Sequence, residues 1–272
     1  MTLGYDKQDY FETEIKNKVN IILPRKTSNI LISGKSGSGK SQSCRWYIWQ
    51  LLHNKESLVY LSDYKGGEEY EPFEGSDSYA SGERALVMID DFYRLFTEIR
   101  RQKIRLEKHI TLFVEEWFGM VSYAESQSKK LKSELLAHVG EILAVARGLN
   151  LGIMLAVQRA DASLFDSGSR EQFQAVVCFG RCSAEQFRML GFSSELETNP
   201  TARYGSGQGL TLVDGCGVRE IVVPWITNQE AMCRQIRNEQ NTLKLQQNQG
   251  FQPVRKKCTL YTEKVKRKNL FI

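Results

Sequence analysis

No stretch of ~18 consecutive apolar residues occurs in this 272-residue sequence, which leaves no segment able to span a bilayer as a helix. The opening "MTLGYDKQDYFETEIKNK" is polar and acidic and lacks the basic start and apolar run of a secretory leader, so a cytosolic setting is expected. Cysteine is sparse and scattered: Cys44, Cys178, Cys182, Cys216, Cys233 and Cys258. Cys178 and Cys182 form a CxxxC, but no second pair or nearby histidine completes a zinc set, and reduced structural thiols are expected. There is no internal repeat. Hydrophobic residues at 41% and charged residues at 25% are ordinary for a globular chain, so the polar and fibrous classes are excluded.

Charge is uneven. The net is +5, yet residues 234–272 carry ten Lys/Arg against two Asp/Glu, a local net of +8 that leaves −3 on the first 233 residues. A basic end on a slightly acidic body points to a polyanion or an anionic surface as partner. The same stretch is Gln/Asn-rich and reads as a tail or extended arm.

Glycine is concentrated where it has a use. "GKSGSGKS" (Gly34, Lys35, Ser36, Gly37, Ser38, Gly39, Lys40, Ser41) fits the eight-position phosphate loop in full. It follows a strand-like "NILIS" and precedes a helical "SQSCRWYIWQLLHN" with Trp46, Trp49 and Leu52 at helical spacing. Glycines let backbone N–H groups turn inward around a β-phosphate, and the following helix, starting near Gln42, adds its positive end. Lys40 is placed to reach the β- and γ-phosphates, and Ser41 to ligate Mg²⁺.

Downstream, "LVYLS" reads as a strand and "DYKGGEEYEPFEG" as a loop. The segment 83–106 contains "LVMIDD", which has the look of an acidic strand end. Its apolar residues Ala85, Met88, Ile89, Phe92, Leu95, Phe96 and Ile99 instead follow i, i+3, i+4, i+7 spacing, which predicts one amphipathic helix. "ITLFV" (110–114) is the better active-site strand, ending in Glu115-Glu116. Helix 129–150, strand 152–158, strand 173–180, a short helix capped by Ser183 and a hairpin turning at Asp214-Gly215 complete the pattern. Strands alternating with long helices predict an α/β fold, a mostly parallel sheet covered on both faces. The expected division is an arm over 1–25, one domain over 26–230 and a basic tail over 231–272.

Carboxyl ends of parallel strands face the ligand crevice. Glu115 is therefore assigned to the metal shell and Glu116 to polarising a water for in-line attack. Gln158, ending the next strand, is positioned to hydrogen-bond a γ-phosphate or that water. Arg181 follows strand 173–180 and is a candidate to stabilise phosphoryl-transfer charge, with Arg188 and Arg203 as rivals. Lys65 in "DYKGG" is a further candidate for phosphate or nucleic acid.

These pieces, in this order, resemble the motor domain of FtsK/SpoIIIE-type DNA translocases within the HerA/FtsK group of P-loop ATPases. The resemblance covers about residues 30–225. It rests on "GKSGSGKS", "LSDYKGGEEYEPFEG", "LFTEIRRQKIRL", "LFVEEWFG" and "ARGLNLGIMLAVQRAD", and more weakly on "AVVCFGRCSAEQFRMLG" and "GSGQGLTLV". It implies a RecA-like ATPase using ATP and Mg²⁺, assembled as a homo-hexameric ring around duplex DNA. Lys40 and Ser41 would serve nucleotide, Glu115 and Glu116 metal and water, and Gln158 would act as γ-phosphate sensor. Such motors usually carry Asp where this chain has Glu115, and the extra methylene changes reach by about 1.5 Å. With no anchor and no C-terminal winged helix, the chain matches a motor of a plasmid, phage or integrative element, with a relaxase or transfer-channel protein as partner. A nucleotide-gated binding protein without processive turnover is the alternative from another class, and a small-molecule kinase the third.

Overall fold

The structure is a computed structural model that describes residues 1–21, 28–53, 57–104, 106–165 and 168–247. Its centre is the set of apolar runs predicted as strands. These are β3 (Asn29–Gly34), β4 (Ser57–Asp63), β6 (His109–Glu115), β7 (Leu151–Val157) and β8 (Ala175–Phe179), joined at one edge by the short β5 (Tyr79–Ser81). β3, β6, β7 and β8 are buried along their whole length, as strands covered on both faces must be. They pair in parallel in the order β8-β3-β7-β6-β4-β5.

The sheet is larger and more mixed than predicted. β9 (Gln208–Val213) and β10 (Gly217–Val222) form the expected hairpin, and β9 runs antiparallel to β8. Beyond them lie β1 (Thr2–Asp6) and β2 (Lys18–Asn20), with the short helix α1 (Lys7–Glu12) between them, giving ten strands in one sheet among the described residues. The N-terminal stretch expected as an arm is thus a correction: Tyr5 pairs with Val222 and Leu3 is fully buried. The Met1 amine donates to the Ile21 carbonyl at 2.9 Å. The hairpin leaves an edge with unpaired backbone groups, and the first strand satisfies it.

Helix α2 (Lys40–His53) carries the chain from β3 towards β4, in one direction across the sheet. Helices α3 (Arg84–Arg101), α4 (Trp117–Gln127) and α5 (Lys129–Val145) lie in connections running the other way. Right-handed crossovers therefore place α2 on one face and α3–α5 on the other. The α3 segment is the helix its periodicity predicted, with Ala85, Met88, Ile89, Phe92, Phe96 and Ile99 buried. Asp90 is at its edge, 3.1 Å from His138 Nδ1. On α2 the buried stripe is Cys44, Tyr47, Ile48, Leu51 and Leu52. Trp46 and Trp49 are only partly buried, so spacing found the helix but the tryptophans did not mark its core face.

Helix α6 (Ala184–Met189) has the predicted Ser183 cap, whose hydroxyl accepts from Gln186 N. The C-terminal segment is corrected too. Residues expected as tail form α7 (Gln229–Gln247), with Met232, Cys233 and Ile236 buried. Gln235 Oε1 accepts from the Trp49 indole at 2.9 Å, fixing α7 to α2. The basic run 255–268 lies outside the described residues.

Candidate active site

The phosphate loop occupies the turn from β3 into α2. Gly37 and Gly39 have φ of +78° and +88°, the left-handed region that favours glycine. A Cβ on Gly37 would meet nothing, so that side of the loop opens outward. A Cβ on Gly39 would lie 2.7 Å from Gly207 N, because the segment before β9 packs directly on the loop. Gly207 N also donates to the Ser38 carbonyl at 2.9 Å. Lys35, Ser36 and Gly37 are exposed, Ser38 and Lys40 are buried, and Ser41 is partly so. Gln42 is buried and gives its Nε2 to the Pro224 carbonyl at 3.1 Å.

Lys40 Nζ lies 2.6 Å from Glu115 Oε1, an ion pair with side chains only 7% and 3% exposed. Burial opposes the ammonium charge, but the neighbouring negative groups, Glu115 foremost, together outweigh it and hold Lys40 above its usual value. The other oxygen, Oε2, accepts from the Tyr70 hydroxyl at 3.2 Å. Tyr70 is fully buried, and burial, then Glu115, pushes its hydroxyl well above the usual value, so it stays a donor. It belongs to a six-residue 3₁₀ segment, Glu68–Phe73, inside what the sequence reads as a plain loop.

Asp63 ends β4 directly opposite Glu115 in the register. Its Oδ2 accepts from Gly67 N at 3.2 Å and from Tyr79 Oη at 3.3 Å, while Oδ1 is buried with no partner. Burial, to which the Glu115 charge adds, raises its pKa to about 6 against the opposing hydrogen bonds of Gly66 and Gly67. The folded value lies above the unfolded one, so the folded chain holds a proton that the unfolded chain releases. That contribution to stability is present at low pH, is lost as pH rises to about 6, and is flat above. Asp63→Asn is therefore expected to gain on wild type between pH 4 and 6, with a constant gap above pH 7. Urea unfolding across that range measures it, and a pH-independent gap contradicts it.

Glu116 follows in the left-handed region (φ 59°, ψ 49°), a costly conformation for a side-chain-bearing residue. It stands at the N-terminus of α4 without capping it. Its Oε2 instead accepts from Gln158 Nε2 at 3.0 Å. Its charge also helps to hold Lys40 protonated, so the two glutamates act on one lysine.

Lys40, Glu115, Glu116 and Gln158 therefore meet at one edge. Arg181, Arg188 and Arg203 do not join that cluster: all three are exposed. Lys65 pairs with Glu69 at 3.2 Å on the surface. Sequence reading missed Tyr70 and Asp63. The strand-end Asp in "LVYLSD" is a signal of the kind used for Glu115, whereas Tyr70 sits in a stretch with no periodicity to read.

The residues present fit a nucleoside triphosphate. The loop opens outward at Gly37, a buried ammonium lies at its base, and the Ser38 hydroxyl is buried without a partner. No cluster of three or more His, Cys, Asp or Glu forms among the described residues.

No protein-family model and no curated protein matches the chain. Solved structures do. The cytoplasmic domain of the Thermomonospora curvata type VII secretion ATPase EccC superposes with a TM-score of 0.62 at 18% identity, over 87% of this chain and 30% of that one. The pCW3 conjugation coupling protein TcpA, in its monomer form with ATPγS, gives 0.59 at 18% identity, over 90% and 75%. B204, the DNA-packaging ATPase of Sulfolobus turreted icosahedral virus, gives 0.50 at 14% identity, over 75% and 100%. The chain spans less than a third of the EccC chain it matches. At these identities the likeness establishes a shared α/β fold, a large mixed sheet flanked by helices. No helix among the described residues is long and apolar enough to cross a membrane.

Proposed function

We propose that this chain is a ring-forming, ATP-driven DNA translocase serving DNA transfer, conjugation or packaging of a mobile element. The observation that carries the reading is the meeting of Lys40, Glu115, Glu116 and Gln158 at the carboxyl edge, around an outward-opening phosphate loop. Two proteins of the same fold are named as a conjugation coupling protein and a DNA-packaging ATPase, which supports the DNA partner.

In the proposed mechanism Lys40 exchanges Glu115 for the β- and γ-phosphates of ATP. Ser41 and the released Glu115 would hold Mg²⁺, which would supply positive charge against the charge developing on the phosphates. Glu116 accepts the proton of the attacking water, and Gln158, already bonded to Glu116, orients that water. Exposed Arg181 is available to a neighbouring subunit's nucleotide in a homo-hexamer. The test is ATP turnover with and without duplex DNA, together with sizing in the presence of ATPγS and DNA. A hexamer threaded by DNA, with DNA-stimulated turnover, is the expected result, and nucleotide binding without turnover on any DNA sinks the motor.

A second reading, a nucleotide-gated protein that binds DNA or a relaxase-like partner, is favoured by one observation. Both Glu115 oxygens are already engaged, by Lys40 and Tyr70. Under either reading the basic run 255–268 contacts phosphate. Deleting residues 248–272 is expected to weaken DNA binding and flatten its salt dependence, since each phosphate contact released adds ~0.9 to the slope. Equal slopes with and without the segment would exclude it as the contact.

A further inference from the structure

A triphosphate has a direction in this fold. Glu115 and Glu116 come from β6, which lies beyond β7 on one side of β3. A terminal phosphate beside them sends the nucleoside the other way, over the first turn of α2 and towards β8, β9 and β10. On that side two segments are tied to the loop in series. Gly207 N donates to the Ser38 carbonyl, and the Gly207 carbonyl accepts from Val223 N at 2.8 Å. Next, the Pro224 carbonyl accepts from Gln42, in the first turn of α2. Further along, the Gln229 side chain accepts from Arg45, one turn up the same helix.

Between those ties stands Trp225, 69% exposed, the most exposed large apolar side chain among the described residues. Single exposed apolar residues are common and need no explanation. This one differs in place: its backbone is pinned beside the phosphate loop while its indole is left in water. An indole fixed there offers a flat π-face, and nucleobases stack on such faces with little regard to base identity.

We propose that Trp225 is the platform on which the base of the bound nucleotide stacks, completing the site as one for a nucleoside triphosphate. The proposal rests on the phosphate-loop reading above. It makes Trp225 a binding residue that acts on the base and not on the phosphates. It also implies that the stacking contribution is similar for ATP and GTP.

Equilibrium binding of ATPγS, GTPγS and inorganic tripolyphosphate to the full chain tests it, with tryptophan fluorescence read in parallel. Trp225→Ala is expected to weaken both nucleotides by about tenfold and leave tripolyphosphate affinity unchanged. Trp225→Phe is expected to recover most of the loss. In wild type, ATPγS but not tripolyphosphate quenches fluorescence, and the quench disappears in Trp225→Phe. Equal nucleotide affinity in wild type and Trp225→Ala, while Lys40→Ala abolishes binding, would overturn the platform and leave the phosphate loop standing. A tripolyphosphate loss equal to the nucleotide loss, or no recovery with Phe, would make Trp225 a scaffold residue and overturn it as well. Failure of wild type to bind any nucleotide would remove both readings.

Discussion

Glu116→Gln is expected to cut DNA-stimulated ATP turnover by about 10²–10⁴-fold while ATPγS stays bound, because a positioned general base contributes on that order. Three features favour this residue over Glu115 as the base of the proposed mechanism. Its carboxylate is only partly buried, whereas Glu115 is closed in by Lys40 and Tyr70. Its left-handed backbone turns it off the strand line into the edge, and that conformation persists only where its surroundings hold it. Its one side-chain partner is the Gln158 amide, which donates to a carboxylate and leaves the second oxygen open. Glutamine keeps the shape and removes the proton acceptor, so binding and turnover separate. Steady-state hydrolysis with matched ATPγS titrations reads the split. If turnover survives within tenfold, the base lies elsewhere, with Asp63 the next carboxylate to replace. Gln158→Ala is expected to show a smaller loss in the same direction, since in the proposed mechanism it orients the water and exchanges no proton.

The central architecture was legible because its signals are local. Continuous apolar runs end abruptly in polar residues at Gly34, Glu115 and Gln158, and each marks a buried parallel strand whose carboxyl end faces the crevice. The helical period of 83–106 outvoted the acidic "LVMIDD" for the same reason: seven apolar positions follow one spacing and only two acidic ones argue otherwise. What was not legible depends on partners far away in the chain. β1 is a strand because Tyr5 and Asp6 find Val222 and Ile221, more than 200 residues on, and nothing in "TLGYD" announces that edge. α7 is rich in polar residues, and among its described side chains only the apolar Met232, Cys233 and Ile236 are buried, too few to distinguish it from a solvated tail. Tyr70 bonds Glu115 from a six-residue 3₁₀ segment, too short for an apolar period to betray it.

Lys40→Met is expected to destabilise the nucleotide-free chain by about 3–5 kcal/mol, because removing one partner of a buried pair leaves the other charge uncompensated. Glu115 would retain only Tyr70 as donor, with its carboxylate 3% exposed. Removing both charges tells a different story. Two charges taken out of water forfeit much of their attraction to desolvation, so Lys40→Met with Glu115→Met is expected to recover most of the loss. Urea unfolding of the two single variants and the double variant closes this cycle. Near-additive losses would show that the pair is not a unit. The cycle has a functional counterpart. In the proposed mechanism Lys40 turns from Glu115 to phosphate, so nucleotide competes with the 2.6 Å ion pair. Glu115→Gln keeps the side-chain length but weakens the hold, and is expected to bind ATPγS several-fold more tightly than wild type when Mg²⁺ is absent. With Mg²⁺ present the advantage should shrink or reverse, because the released carboxylate then has a second use that glutamine lacks. A variant that binds no better without Mg²⁺ would mean that the Lys40–Glu115 pair does not compete with phosphate.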